Sequence, residues 1–321
     1  MVLASLAVVA AACSAPEPAN PTSSTVAGTS EPVGSPGTAV IHEEGWSTPI
    51  ELGFNDDGWE DSPYLTRDGG ALIFFYHPWP DLVTTEAELT ELILADPEGA
   101  VAKGLDGALY VSPWPFETKQ RHPVSADGSP ALECCAYLSS DGQIFYVSNR
   151  RAWEEMADLP EGVYLDGRLL DIGGGAAPSN PHWNEAHDEL WFDCPGDTDV
   201  CVMRHASAQG FAGPVEKAPY PVNARDIDIV QDSQVFLTDD GDTMYLTSSR
   251  DQPELGITAI YRLRRLDEDG YEWSEPELFI SADAQVAELS MTADGSELAF
   301  AQIFWREDGT PGIDIFWAQK R

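Results

Sequence analysis

Residues able to do chemistry recur along this chain at comparable places. Asp61, Glu133, Asp232 and Glu288, with Asn180 among them, each stand at the entry to an apolar run. Two carboxyls flanking a sugar can act as general acid and as nucleophile or base. The same acids equally cap backbone amides or hold a cation. Arg150, Arg250 and Arg306 each follow an apolar run. Guanidinium groups so placed grip a carboxylate or sulfate by paired hydrogen bonds, or tie neighbouring units through an acidic partner. His77, Trp79, Trp153 and Trp305 occupy similar positions. With Asp61, Glu133, Glu288 and the three arginines they form the candidate ligand-binding set.

Other catalytic signatures are absent. There is no Gly-x-Ser-x-Gly elbow and no phosphate-cradling loop, and Gly173-Gly174-Gly175 before Pro178 reads as a connector. Neither the His-Asp-Pro opening of one glycosidase class nor the Ser-x-Asp-x-Gly-x-Thr-Trp box of sialidases occurs. The six histidines are scattered, and no Cys or His pairs at two-residue spacing exist to build a zinc centre. No metal and no cofactor is expected.

The scaffold for these residues is written as a repeat. An apolar strand, a turn on Asp-Gly and a second, aromatic-rich strand recur from Ser62, Cys134, Asn180, Ser233 and Glu288. Asp-Gly supplies the positive φ that tight hairpins need. With the turn glycine as marker, and His187 in the degenerate third copy, the positions are 69, 142, 187, 241 and 295. The steps of 73, 45, 54 and 54 residues are about one propeller blade each. Third strands follow from Ala108, Val200, Ala259 and Ile313, and fourth strands from Phe211 and Trp273. Trp183 and Trp191 fall on strand positions and read as core.

The last unit reaches Arg321 after three strands, whereas Trp-Ser-Thr-Pro from Trp46 copies Trp-Ser-Glu-Pro at Trp273 and precedes the first unit. Residues 45–53 are therefore expected to supply the outer strand of the last blade, hiding edges that an open sheet exposes. The expectation is an all-β single propeller over residues 41–321, with five blades of four antiparallel strands and six as the alternative. At Pro63 with Asp68-Gly69, Ser139–Gly142 with Ser148-Asn149-Arg150, Ser248-Ser249-Arg250 with Ile260-Tyr261, and Ile315-Phe316, the sequence resembles the TolB-type and WD-like repeats of bacterial envelope proteins. That resemblance implies a propeller and no one function, since such repeats serve scaffolds, binders and enzymes alike.

Residues 1–12 are small and apolar and precede Cys13. The run is shorter than the roughly 20 residues of a membrane span and resembles a signal peptide ending at a lipidated cysteine, with an ordinary cleaved signal as the alternative. Residues 13–40 then form a linker rich in Pro, Ser and Thr, without apolar period. The expected location is extracytoplasmic, in the periplasm or at the cell surface, with lipidated Cys13 the only tie to a membrane. The net charge of −38, from 55 acidic and 17 basic residues, excludes nucleic acid as a natural partner. Cys194 and Cys201 bracket a turn-like stretch and are expected to pair, while Cys134 and Cys135 form a vicinal disulfide or stay buried thiols.

Propeller geometry sends the Asp-Gly turns to one face and the irregular loops, with the first-strand entries, to the other. The largest irregularity, residues 77–105, reads as a lid helix: Thr85 and Glu88 make a capping box, and Leu89, Leu92 and Ile93 share a face. Binding concentrates on irregular loops of rigid scaffolds. The expected function is noncatalytic binding of a carbohydrate-like or anionic ligand, or an envelope protein. The alternative is a glycoside hydrolase or sialidase-like enzyme using the carboxylates above.

Overall fold

The computed structural model describes residues 39–78, 107–125, 131–155, 161–172, 178–195, 198–225, 230–252, 257–267, 272–305 and 311–321. Cys13, Trp79, Arg306 and the expected lid helix lie outside them. The fold is all-β. Two short strands come first, β1 (Val40–Ile41) and β2 (Ile50–Glu51). Five units follow. They are β3 (Trp59–Leu65), β4 (Ala71–His77), β5 (Ala108–Pro113) and β6 (Gln120–Arg121); β7 (Glu133–Leu138), β8 (Ile144–Ser148), β9 (Gly162–Leu165) and β10 (Arg168–Leu169), with a short helix α1 (Arg150–Glu155) after β8; β11 (Ser179–Asn184), β12 (Glu189–Asp193), β13 (Val200–Arg204) and β14 (Val215–Lys217); β15 (Asp232–Leu237), β16 (Thr243–Ser248), β17 (Ala259–Arg264) and β18 (Glu277–Ser281); and β19 (Gln285–Met291), β20 (Glu297–Trp305) and β21 (Pro311–Gln319).

Within each unit the strands pair antiparallel in chain order. The first turns share one chemistry. Thr66, Ser139, Thr238 and Thr292 each donate a hydroxyl hydrogen bond, at 2.5–2.8 Å, to the aspartate two residues on. The glycine after that aspartate takes positive φ at Gly69, Gly142, Gly241 and Gly295, as such turns require. In the third copy the left-handed residue is Asp188, one beyond His187. Aspartate tolerates that conformation better than most side chains.

Residues 46–52 run antiparallel to β21. Trp46 bridges Lys320, Ile50 faces Trp317 and Glu51 faces Phe316, and the Leu52 amide donates to the Ile315 carbonyl at 3.1 Å. The last unit thus takes its fourth strand from the start of the domain. β1 adds a fifth strand to the fourth unit, with Val40 opposite Ser281, so ordered pairing begins one residue inside the expected linker. Each first strand also lies against the first strand of the next unit, and β19 lies against β3.

The apolar core is divided into layers between neighbouring units. One layer joins the first three, from Phe75 through Phe145 to Phe192. Others set Trp191 and Val202 against Leu246 and Trp273, Phe279 against Phe300 and Phe316, and Phe74 against Ile315 and Trp317. Because both faces of the inner strands are covered, runs such as Leu72-Ile73-Phe74-Phe75 are apolar throughout rather than alternating. Full burial of each such side chain contributes about 1.5–3 kcal/mol. Trp191 is buried as expected, whereas Trp183 is half-buried against the first layer.

Candidate axial site

All five first strands carry a bulge, between Asp61 and Tyr64, Cys134 and Tyr137, Ser179 and His182, Ser233 and Phe236, and Ala287 and Ser290. At each bulge a non-glycine residue takes left-handed backbone: Ser62 (φ 51°), Cys135 (59°), Asn180 (48°), Gln234 (53°) and Glu288 (58°). Such a conformation costs on the order of 1 kcal/mol or more per residue and persists only where the surroundings enforce it. A bulge also re-aims the side chain. These five line one cavity of about 50 Å³. Beyond them Tyr64, Tyr137, His182 and Phe236 line an aromatic floor, with centroids 5.4 Å, 4.4 Å and 5.0 Å apart in sequence.

A hydrogen-bonded chain joins the bulge residues. The Glu288 carboxylate accepts from the Ser62 amide at 2.7 Å, the Ser62 hydroxyl at 3.1 Å and the Gln234 side-chain amide at 2.8 Å. Asp193 accepts from the Gln234 backbone amide and the Asn180 side chain, both at 2.7 Å, and from Ser179 at 3.3 Å. Asp61 shares the Ser62 amide with Glu288, at 2.7 Å, and accepts from the Trp59 indole at 3.1 Å. Burial and then the Asp61 charge push the Glu288 carboxyl well above the usual carboxylate range. Burial pushes Asp193 up to about 6 against the pull of its donors, and holds His182 down at about 3. The His182 ring accepts from the Leu237 amide at 3.1 Å.

Cys134 and Cys135 are joined as a vicinal disulfide, with the Cys135 sulfur 3.7 Å from the Ser62 hydroxyl. The ring of groups around the cavity is therefore four-fifths polar, with one sulfur wall. Ser62, Cys135 and Glu288 are buried, while Asn180 and Gln234 stay partly exposed and form its accessible side. Cys194 and Cys201 form a second disulfide across the turn between β12 and β13.

The structure divides the sequence-derived set. Asp61 meets Glu288 at the Ser62 amide, beside the cavity that Glu288 lines. Glu133 is buried and paired with Arg150, whose guanidinium also donates to the Val124 carbonyl. Asp232 is fully buried and paired at 2.6 Å with Arg250, which donates to the Val222 carbonyl at 2.9 Å. Each of these arginines reaches back to the acid that opens its own unit and to the connector before it, instead of meeting the other over a shared anion. The reason is electrostatic: an unpaired buried carboxylate costs several kcal/mol. His77 is buried at the end of β4 against Phe75. Trp153 lies in α1 and Trp305 ends β20. Ser62 and Gln234 escaped the sequence reading, although a signal existed. Every bulge residue stands seven positions before its turn marker, at 62, 135, 180, 234 and 288. Among the described residues no group of three or more His, Cys, Asp or Glu is placed to hold a metal ion, and no helix is long and apolar enough to cross a membrane.

No family model matches the chain, and no curated protein matches it in sequence. Solved structures overlay on it at low identity. A protein of unknown function from Dyadobacter fermentans is 12% identical over 88% of this chain and 100% of its own, with a TM-score of 0.45. A glycoside hydrolase is 10% identical over 99% and 95%, at 0.44. An endo-arabinase from Bacteroides thetaiotaomicron is 11% identical over 83% and 94%, at 0.40. Likeness at this level says nothing about chemistry in this chain.

Proposed function

We propose that this chain is a five-bladed β-propeller, closed by residues 46–52, that binds a carbohydrate-like ligand at its axial mouth without transforming it. The reading is carried by one observation: five successive units each turn a bulge side chain into the same cavity. Closure is supported by the pairing of β2 with β21 and by the contact of β19 with β3. About 50 Å³ has room for one or two water molecules or one projecting hydroxymethyl or amide group, far less than a whole drug-sized ligand fills. The body of the ligand would then rest on the surrounding rim. Carboxylates and side-chain amides accept from and donate to hydroxyls, and the acids argue against an anion. An envelope protein presenting a neutral polar loop remains a partner of the same chemistry.

The resemblance to TolB-type repeats and the signal-like start support an extracytoplasmic lipoprotein, anchored through Cys13 and its linker. Glycoside hydrolysis is the second reading, favoured by the raised Glu288 carboxyl beside Asp61. Against it, those two carboxyls accept from a single amide, closer than the roughly 5–9.5 Å that the two glycosidase geometries use. Glycan-array screening of the chain with hydrolysis assayed in parallel tests both. Binding without product supports the proposal, and product formation lost in Glu288→Gln transfers it to the second reading.

A further inference from the structure

The axial cavity is layered, and the order of its layers selects the group that fits. The first strands run from the mouth toward the Asp-Gly turns, so each successive residue lies deeper. The mouth level is the ring of bulge residues, four polar and one sulfur. The next level is Pro63, Ala136, Pro181, Val235 and Leu289, one from each unit, all apolar and all lining the same cavity. Deeper still, polar atoms are already engaged. The Ser290 hydroxyl accepts from the Leu65 amide at 2.9 Å, the His182 ring from the Leu237 amide at 3.1 Å, and the Tyr64 hydroxyl donates to the Leu138 carbonyl at 2.6 Å. A group entering from the mouth must therefore be polar at its neck and apolar at its tip. A hydroxymethyl group reverses that order and buries its hydroxyl among carbons, which is costly.

The mouth level supplies partners for one kind of polar neck. Gln234 donates its Nε2 to Glu288 at 2.8 Å, while its Oε1 is buried with no hydrogen-bond partner among the described residues. An unmatched buried acceptor is costly, and a donor offered beside it is gained. Asn180 gives one of its two side-chain N–H groups to Asp193, at 2.7 Å, and brings the second to the accessible side. One acceptor and one donor at a single level suit a secondary amide. The remaining wall is the Cys134–Cys135 disulfide, which has no S–H to donate and presents a polarisable, apolar surface. The bulge backbone does not require that bond, because Ser62, Asn180, Gln234 and Glu288 hold φ of 48–58° without one. The sulfur pair answers instead to what lies against it.

We propose that the axial mouth takes an N-acetylated sugar by its acetamido group, with the N–H on Gln234, the carbonyl on Asn180 and the methyl passing the disulfide onto the apolar level. This rests on the axial reading above and narrows it to one substituent.

The test is saturation-transfer NMR with calorimetric titration of the chain. The probes are the methyl glycosides of N-acetylglucosamine, N-acetylgalactosamine and N-acetylmannosamine, beside those of glucose, galactose, mannose and glucosamine. At least one N-acetyl glycoside is expected to bind about tenfold tighter than its parent sugar, from one added hydrogen bond and one buried methyl. Its acetamido methyl is expected to take more saturation than any other ligand proton, and its N-formyl analogue, lacking that methyl, to bind about fourfold more weakly. These comparisons change the ligand, so they hold whether or not a protein variant folds. A glycoside that binds without preference for the acetamido group, yet loses affinity in Asn180→Ala, overturns the proposal and leaves the axial site standing. An acetamido methyl no more saturated than the ring protons, tighter binding of glucosamine, or failure of every N-acetyl glycoside to bind also overturns it. An affinity unchanged in both Asn180→Ala and Gln234→Ala removes the axial reading, and this proposal with it.

Discussion

Asp193 gives a sharp test of the electrostatics around the bulge residues. Its carboxyl is enclosed by Asn180, Gln234 and Ser179, and its pKa is pushed from an ordinary 3.8 up to about 6. A group whose folded pKa is raised contributes stability that is fully present below the unfolded value and is lost as pH rises through the folded value. From pH 4 to pH 7 the loss is about 2 kcal/mol, an upper figure because the residue is partly exposed. His182, held at about 3, acts oppositely: it gains stability with rising pH up to the unfolded histidine range. Wild type alone would mix the two. The comparison with Asp193→Asn cancels His182. The amide keeps the acceptor for the Gln234 backbone, and Asn180 can turn its carbonyl toward the new donor. Urea unfolding at half-unit intervals should show the variant gaining about 2 kcal/mol on wild type between pH 4 and 7. A difference that stays flat would refute the enclosed, raised carboxyl.

Three further outcomes are expected. Glu189 accepts from Arg204, Arg265 and the Trp191 indole at 2.9–3.0 Å, with Arg265 1% exposed; Glu189→Ala should cost about 3–5 kcal/mol in urea unfolding, and a loss below 1 would contradict that burial. Replacing Cys194 and Cys201 by serine opens a short loop, seven residues in separation, and should cost about 2 kcal/mol; an unchanged melting temperature would speak against the bridge. Deleting residues 39–52 strips the outer strands from two units, and circular dichroism with size exclusion should show lost cooperativity or aggregation. A truncated chain that melts like the full one would remove circular closure.

Much of the architecture was legible because hairpin chemistry is local. The hydroxyl-to-aspartate clasp and the positive-φ glycine at Gly69, Gly142, Gly241 and Gly295 are read directly from four residues. The outer strands β6 and β10, two residues each, were not legible, since so short a pairing carries no alternation. The site was half-legible. Asp61 and Glu288 stood out as acids, but the equivalence of Ser62, Cys135, Asn180, Gln234 and Glu288 was hidden by five different residue types, and only the constant offset from the turn marks it. The pairings of Arg150 with Glu133 and Arg250 with Asp232 depend on the strand register that brings the ends of β7 and β8, and of β15 and β16, together.

The axial claim is tested most directly by titrating the glycan that the array selects into wild type and into Asn180→Ala and Gln234→Ala, with folding checked by circular dichroism. The account predicts saturable binding to wild type, at least about tenfold weaker in both variants as hydrogen bonds are lost, and no product in any cell. Unchanged affinity in both variants would contradict it.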